Sequence, residues 1–176
     1  MRALIILADE FEDIEAFTTI DILDRAKIDV TKVGLGSKVI TSSHGVRVMA
    51  DKILNEIDPD AFDMLVLPGG PGYKNLLNSG AVIKLVKSFN NQKKTIGAIC
   101  AAPLVLAAAG VLDDKVAVVY PGMEKSIPKV RDAKVIASGN IITSRSAGTA
   151  IEFALMLVER TLGKKEASKV REKLVI

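Results

Sequence analysis

Short apolar runs alternate along this chain with longer segments in which apolar residues recur at helical spacing. Arg2–Ala8 is a nearly continuous apolar run, which is typical of a strand covered on both faces. In the next segment, Ile14–Ala26, apolar residues recur every three positions and predict a helix. The same alternation continues to the C terminus. It predicts further strands at Asp29–Gly36, Met64–Leu67, the first half of Thr95–Gly110, Lys115–Val119, Ala133–Ala137 and Ile141–Ser144, and further helices at Ala81–Phe89, the second half of Thr95–Gly110, Gly148–Leu162 and Lys164–Leu174.

Strands that alternate with helices predict a doubly wound α/β fold, in which helices sandwich a mostly parallel sheet. At 176 residues the chain is most simply one domain, which we place at residues 1–176. Val39–Ala50 departs from the alternation and predicts short strands around a turn at His44. Sites in open sheets form at the carboxyl ends of the strands. We therefore expect three turns to converge there: Ala8–Asp13, Leu67–Gly72 and Ile99–Ala101.

Composition excludes several classes of function. Hydrophobic residues make up 49% of the chain and aromatic residues 4%, with no Trp, so the core must be aliphatic. The net charge is +3, and basic and acidic residues are interspersed along the chain rather than clustered as one basic face, which argues against nucleic-acid binding. The first apolar run is too short for a signal peptide or a membrane span, and acidic residues follow it. We expect a cytoplasmic protein without membrane or nucleic-acid partners.

Cys100 is the only cysteine, and it lies at the predicted strand-to-helix turn inside Thr95–Gly110. A single cysteine excludes an internal disulfide and fits a reducing compartment, and one Cys with one His cannot form a soft-ligand metal site. A turn of this kind exposes its side chain toward the first N–H groups of the helix, as in a nucleophile elbow. Those N–H groups and the helix dipole favour a thiolate. The alternative is a small buried hydrophobe.

Carboxyl groups near the start of the first helix are candidates for proton transfer. Glu15 lies in the first turn or two of that helix, beside the expected site. Ionised, it would oppose a thiolate, whereas protonated by burial it can donate a hydrogen bond to the thiolate and later move a proton. Glu10, Glu12 and Asp13 compete for this role. The alternative interpretation of these three residues is that they only stabilise the start of the helix, through a favourable interaction with the helix dipole.

The turn after Met64–Leu67 is rich in glycine and offers backbone N–H groups. Gly69 and Gly70, with the N–H of Ala101, can form an oxyanion hole, although an ordinary strand-exit turn has the same composition. A Cys–His dyad would have to use His44, the only histidine, which lies in a polar turn where a surface histidine is ordinary. Dinucleotide binding is excluded, because the first turn has no glycine and carries four carboxylates.

Taken together and in this order, several motifs resemble the ThiJ/PfpI superfamily along essentially the whole chain. Within it the chain looks most like the branch of the parkinsonism-associated protein deglycase. The motifs are Glu15, Leu67–Gly70 (LPGG), Ala98–Pro103 (AICAAP), Thr143–Thr149 (TSRSAGT) and Glu152–Leu155 (EFAL). The resemblance implies a flavodoxin-like sandwich, a single domain related to the class I glutamine amidotransferases, and a homodimer.

The resemblance also implies roles for particular residues. Cys100 would be the elbow nucleophile, and the Glu15 carboxyl would hydrogen-bond its sulfur. Gly70 and Ala101 would donate N–H groups to an oxyanion or an oxidised sulfur, and Arg145 would lie near the pocket at the dimer interface. Activities implied are cofactor-independent conversion of methylglyoxal or glyoxal to hydroxy acids, repair of early glycation adducts, peroxide sensing through a cysteine sulfinate, and a chaperone role.

The chain departs from the family pattern at three positions. Tyr120 stands where many members have a histidine, so proton transfer would rest on Glu15, because tyrosine is a poor base at neutral pH. Ala101 replaces the histidine that follows the cysteine in the protease branch, which argues against a peptidase. His44 replaces an arginine and weakens any anion pocket shared with Arg145. The C-terminal histidine of a glutamine amidotransferase triad is absent.

Two functions follow from these residues. The first is a glyoxalase or deglycase, in which Cys100 forms a hemithioacetal with a small 2-oxoaldehyde or a glycated side chain and Glu15 moves the proton. No metal, nucleotide or other cofactor is needed for this chemistry. The alternative is a redox sensor or chaperone in which peroxide oxidises Cys100 to a sulfinate with little turnover. Both functions use the same groups, and the sequence does not separate them.

Overall fold

The computed structural model describes every residue from Met1 to Ile176 and contains one seven-stranded sheet and one hairpin. The strands are β1 (Arg2–Leu7), β2 (Asp29–Gly34), β3 (Val39–Thr41), β4 (Arg47–Met49), β5 (Lys52–Ile53), β6 (Met64–Leu67), β7 (Thr95–Ile99), β8 (Val135–Ser138) and β9 (Ile141–Ser144). The sheet has the order β5-β2-β1-β6-β7-β9-β8. All neighbouring pairs are parallel except β8 and β9. The predicted doubly wound, mostly parallel α/β fold is confirmed.

Six helices cover the two faces of this sheet. They are α1 (Asp13–Arg25), α2 (Tyr73–Leu77), α3 (Gly80–Asn91), α4 (Pro103–Ala108), α5 (Ala150–Leu162) and α6 (Lys164–Leu174). Helices α1, α5 and α6 pack together on one face, and α2, α3 and α4 pack together on the other. No helix is long and apolar enough to cross a membrane.

Alternate residues of the central strands build two separate cores. In β1, Leu4 and Ile6 point into the core beneath α3 and α4, whereas Ile5 points into the core beneath α1 and α5. All three side chains are fully buried, which explains why the strand has an unbroken apolar sequence. The burial of both faces fixes β1 near the middle of the sheet, next to β6.

The register of the central strands brings their carboxyl ends to the same level. Leu67 at the end of β6 is paired with Ala98 in β7, and Ile99 at the end of β7 is paired with Ser144. The loops that leave β6 and β7 therefore begin side by side. This is the sheet edge at which the sequence predicted a site.

One predicted strand is absent from the sheet, and one helix was not predicted. Lys115–Val119 does not join the sheet; it makes a single bridge, between Ala117 and Val130, and the N–H of Val118 donates to the Thr143 hydroxyl at 3.0 Å. The antiparallel strand β8 already occupies the edge of the sheet beside β9, so no place remains there for another strand. Helix α2 was not predicted, because five residues are too few to show a helical period.

Candidate active site

Cys100 occupies a sharp turn between β7 and α4 and has a backbone φ of +65°. This left-handed conformation is costly for a residue with a side chain and persists only where the surroundings hold it. Its N–H donates to the carbonyl of Ser144 at 2.9 Å, and its carbonyl accepts from the N–H of Tyr120 at 2.8 Å. Two hydrogen bonds thus hold the turn, and the thiol remains partly exposed. The predicted elbow geometry is present.

Glu15 is the carboxyl group that the fold brings to this cysteine. It lies in the first turns of α1 and is fully buried. Its Oε2 accepts a hydrogen bond from the N–H of Gly69 at 2.7 Å, which fixes the group across the sheet edge. Its Oε1 is buried and accepts no hydrogen bond. The competing residues Glu10, Glu12 and Asp13 are all more exposed than Glu15.

The carboxyl of Glu15 and the thiol of Cys100 shift each other's protonation. Burial raises the pKa of Glu15 to about 7, while the Gly69 N–H and the thiol oppose part of that rise. Burial, and then the negative charge of Glu15, raise the pKa of Cys100 to about 12. Between these two pKa values the pair therefore retains one proton. That proton resides on the sulfur or on the carboxyl.

The pKa of Cys100 is raised. The sequence predicted the opposite, because the thiol lies at the N terminus of a helix, which favours a thiolate. The N–H groups of Gly70 and Ala101 do lower the pKa of the thiol, but burial and the Glu15 carboxylate outweigh them. A thiolate therefore forms when Glu15 takes up the proton. Because Oε2 already accepts from Gly69, the proton belongs on Oε1, whose O–H is then free to donate to the sulfur.

The backbone donors that approach the sulfur come from Gly70 and Ala101. Gly69 was predicted to share this role, but its N–H is occupied by Glu15, so it positions the carboxyl instead. Glycine is required at both turn positions. A Cβ on Gly69 would lie 2.7 Å from the Cβ of Cys100, and one on Gly70, which has φ +80°, would lie 2.6 Å from the nitrogen of Glu12.

An open cavity of about 440 Å³ leads from solvent to Cys100. Residues from both faces of the sheet contribute to it, and they are Glu12, Gly70, Pro71, Tyr73, Lys74, Cys100, Ala101, Tyr120 and Met123. A larger cavity of about 550 Å³ lies at the opposite edge of the sheet, and none of the site residues predicted from the sequence lines it. The cavity at Cys100 is therefore the candidate active site.

Two predicted pocket residues do not line this cavity in the single chain. His44 is exposed and its Nδ1 lies 2.8 Å from the Asp13 carboxylate, which raises the pKa of the imidazole. Arg145 forms an ion pair with Asp132. The place of Arg145 at a dimer interface stays a prediction. The atoms of Glu12, Asp13 and His44 that are able to bind a cation lie within 4.8 Å of one another. His44 is hydrogen-bonded directly to Asp13 and is linked to Glu12 through the Ser43 hydroxyl.

Sequence reasoning identified Tyr120 as a pocket residue, and it does line the cavity. It missed Tyr73, Lys74 and Met123, which also line it. Tyr73 and Lys74 begin the unpredicted helix α2, directly after the glycine-rich turn. Their position immediately after that turn could have indicated that they line the site.

A family model described as the DJ-1/PfpI family matches residues 1–160. The chain belongs to this family. Protein dj-1beta of Drosophila melanogaster is 39% identical over 99% of this chain and 96% of its own length. The glutathione-independent glyoxalase DJR-1.2 of Caenorhabditis elegans is 34% identical over the same shares. A deglycase of Pyrococcus abyssi is 34% identical over 84% of this chain and 92% of its own.

Solved structures of DJ-1 proteins have the same fold. Drosophila melanogaster DJ-1beta superposes with a TM-score of 0.95, at 39% identity, over 99% of this chain and 97% of that one. Toxoplasma gondii DJ-1, described as oxidized, gives the same TM-score at 35% identity and the same coverage. The family inferred from the sequence motifs is confirmed, and the names of its members include glyoxalase and deglycase activities.

Proposed function

We propose that this protein is a cysteine-dependent glyoxalase and deglycase that acts without a cofactor. Its substrates would be methylglyoxal, glyoxal and early glycation adducts on side chains. The observation that carries the proposal is the pairing of Cys100, on its strained turn, with the buried carboxyl of Glu15. The relatives named as a glyoxalase and a deglycase support the choice of substrates.

The reaction begins when the sulfur of Cys100 forms a bond to the aldehyde carbon of methylglyoxal. The carbonyl π bond breaks, and its oxygen becomes an oxyanion that accepts hydrogen bonds from the N–H groups of Gly70 and Ala101. Protonation of that oxygen gives a hemithioacetal. Glu15 has released its proton by this stage and is a carboxylate next to the former aldehyde carbon.

Glu15 then removes the hydrogen of the former aldehyde carbon as a proton and returns it to the neighbouring carbon. The hydroxyl proton of the hemithioacetal passes to the oxygen of that neighbouring carbon. The first carbon is oxidised to a thioester and the second is reduced to an alcohol, so no external oxidant is required. Water hydrolyses the thioester, which releases lactate and restores the thiol. A pKa of about 7 suits Glu15 to both steps, because a group near neutrality acts as acid and as base.

Glycated side chains present the same kind of bond to the site. A hemithioacetal or an aminocarbinol carries a hydroxyl and a hydrogen on the carbon derived from the aldehyde. The sulfur of Cys100 bonds to that carbon as the bond from the carbon to the glycated sulfur or nitrogen breaks. The departing thiol or amine takes the proton released by Cys100, so the side chain is repaired and the same enzyme adduct forms. The cavity is open to solvent and admits a side chain from another molecule.

Turnover of methylglyoxal to lactate tests the proposal. We expect Cys100→Ala to abolish turnover, and Glu15→Gln to lower kcat by roughly 10²- to 10⁴-fold, since proton transfer by a positioned group contributes about that much. Glu10→Gln is the matched control, because Glu10 is an exposed carboxyl outside the cavity. It should retain the wild-type rate.

Two outcomes would contradict this assignment. If clean wild-type protein produces no lactate, the enzyme function is wrong. If Cys100→Ala retains full turnover, the mechanism is wrong even though the activity is real.

Oxidation of Cys100 is a second candidate function. The N–H groups of Gly70 and Ala101 and a protonated Glu15 would hydrogen-bond a sulfinate, and the description of one structural relative as oxidized supports this role. Two molecules of peroxide would each transfer one oxygen to sulfur and leave as water. Intact mass after mild peroxide should show a gain of two oxygens that Cys100→Ala lacks. A mass unchanged in the wild type would exclude this role.

We further propose that the protein forms a homodimer through α1 and the β3–β4 hairpin. Large apolar side chains are exposed on both, notably Ile14, Phe17 and Met49. Clustered apolar surface of this kind marks an interaction site, and a second copy of the chain is the simplest partner.

A further inference from the structure

We propose that the cavity at Cys100 selects carbonyl compounds that carry an anionic group, and that Lys74 is the residue that selects them. The inference rests on the proposed function and ranks its substrates: 2-oxoaldehydes with a negatively charged substituent are preferred over neutral ones. Lys74 is placed here as a specificity-determining residue, separate from the groups that perform the chemistry.

Lys74 is the one cation that lines the cavity. It lies in α2, immediately after the glycine-rich turn that supplies Gly70, and it shares the cavity with Cys100. Its ammonium group forms no ion pair with any carboxylate of the chain, unlike the lysines at positions 32, 38, 94, 115, 134 and 169. Its charge is therefore available to a ligand that enters the cavity.

Glu12 is the only carboxylate that lines the same cavity. It precedes α1, on the face of the sheet opposite α2, so the two charges approach the cavity from opposite faces. The carboxylate of Glu12 is already engaged, because its Oε2 accepts a hydrogen bond from the Ser43 hydroxyl at 3.3 Å. The cavity is thus polarised, with a free positive charge toward α2 and an engaged negative charge toward α1.

This polarity gives an anionic substrate one favourable orientation. Its charged end is attracted to Lys74 and repelled by Glu12, while the reacting carbonyl lies at Cys100. A volume of about 440 Å³ is in the range of ligand pockets and is larger than methylglyoxal requires. The side chains of Tyr73, Tyr120 and Met123 offer apolar contact to the carbons between the carbonyl and the anionic group.

Alkylation of Cys100 tests the selection without any turnover. Because Cys100 is the only cysteine, loss of free thiol reports this one site. Iodoacetate and iodoacetamide are close in size and differ in charge, so the ratio of their rate constants measures the preference for an anion. The ratio also cancels any change in the thiolate fraction. We would compare wild type with Lys74→Met, Lys74→Glu and Glu12→Gln.

We expect the iodoacetate-to-iodoacetamide ratio to fall roughly threefold in Lys74→Met and about tenfold in Lys74→Glu, as is usual for partly exposed charges. It should rise in Glu12→Gln. High salt should shrink these differences, because it screens exposed charges. Lys87→Glu is the matched control: Lys87 is exposed on α3, outside the cavity, and its replacement changes the net charge equally. An unchanged ratio in Lys74→Glu, or an equal fall in Lys87→Glu, would overturn the proposal.

A substrate pair separates this inference from the proposed function. Phenylglyoxal is neutral and 4-carboxyphenylglyoxal carries one negative charge, and the expected products are the matching mandelates. We expect Lys74→Glu to lower the ratio of kcat/KM for the charged over the neutral substrate by about tenfold. Turnover with a ratio unaffected by Lys74→Glu would contradict the selection alone. No turnover of either compound would contradict the proposed function, and the alkylation ratio would still decide the role of Lys74.

Discussion

Glu15 combines complete burial with a titration near neutral pH, and these two properties have one cause. The interior disfavours the carboxylate, so the protonated form persists to a pKa of about 7 instead of the ordinary 4.5. The Gly69 N–H lowers this pKa only in part. The site therefore contains a carboxyl that titrates near neutral pH, next to a thiol with which it can exchange a proton.

This raised pKa predicts a pH dependence of stability. The folded protein binds the Glu15 proton more tightly than the unfolded chain, so the stabilisation is fully present below about pH 4.5 and is lost as pH rises through about 7. The loss attributable to Glu15 amounts to ~3 kcal/mol. We expect Glu15→Gln, which keeps an acceptor for the Gly69 N–H, to remove this dependence.

Urea unfolding of wild type and Glu15→Gln at pH 5 and pH 8 measures the effect. The free energy of unfolding of the variant relative to wild type should be higher at pH 8 than at pH 5. An equal difference at both pH values would show that Glu15 ionises as an ordinary exposed carboxyl.

At the scale of elements, β7 packs closely against α5 just before the elbow. Gly97 lies in the middle of β7, and a Cβ there would come within 2.9 Å of both Phe153 and Leu157 in α5. At Gly97 the strand therefore lies closer to the helix than a side chain at that position would permit. Cys100 follows three residues later, so the distance between β7 and α5 bears directly on the site.

We expect Gly97→Ala to destabilise the protein by about 1–3 kcal/mol, as overpacking in a dense core does. Gly80→Ala is the matched control, because a Cβ at Gly80, in the first turn of α3, meets nothing within 4 Å. Its effect should be small. Denaturant midpoints of the two variants measure the difference. Equal midpoints would mean that α5 moves to accommodate the new methyl group with no loss of stability.

At the scale of the whole molecule, exposed apolar side chains gather on α1 and on the hairpin. Ile14 is 56% exposed and Met49 is 66% exposed, whereas Ala16 in α1 and Ile40 in the hairpin are fully buried. The acidic turn that precedes α1 also forms part of the candidate active-site cavity through Glu12. A second copy seated on α1 would therefore lie close to the cavity.

We expect sedimentation equilibrium to give twice the chain mass of 18.8 kDa for the wild type. Ile14→Glu combined with Phe17→Glu should give the monomer mass, because charges replace the proposed contact. Ile176→Glu is the matched control, since Ile176 is equally apolar and is exposed at the C terminus. A monomeric wild type at high concentration would refute the dimer.

Much of the fold follows from the order of apolar runs and helical periods. The strand at Arg2–Leu7 and the helix at Ala150–Leu162 were predictable because each buries a regular pattern of side chains. Lys115–Val119 has the composition of a strand, yet it lies outside the sheet, since the place beside β9 is occupied by β8. Local composition does not contain the competition between segments for one edge.

The sequence by itself determined the residues that we propose to carry the chemistry: a lone cysteine at a strand-to-helix turn, an early glutamate and a glycine-rich loop. Tertiary structure alone decided how these residues divide the work. Gly69 holds Glu15 and leaves Gly70 and Ala101 to the sulfur. Burial raises the pKa of both Glu15 and Cys100, and for Cys100 it outweighs the N–H groups at the start of α4, which lower the pKa. Protonation depends on the desolvation and the charges around a group, and these arise only when distant segments pack together.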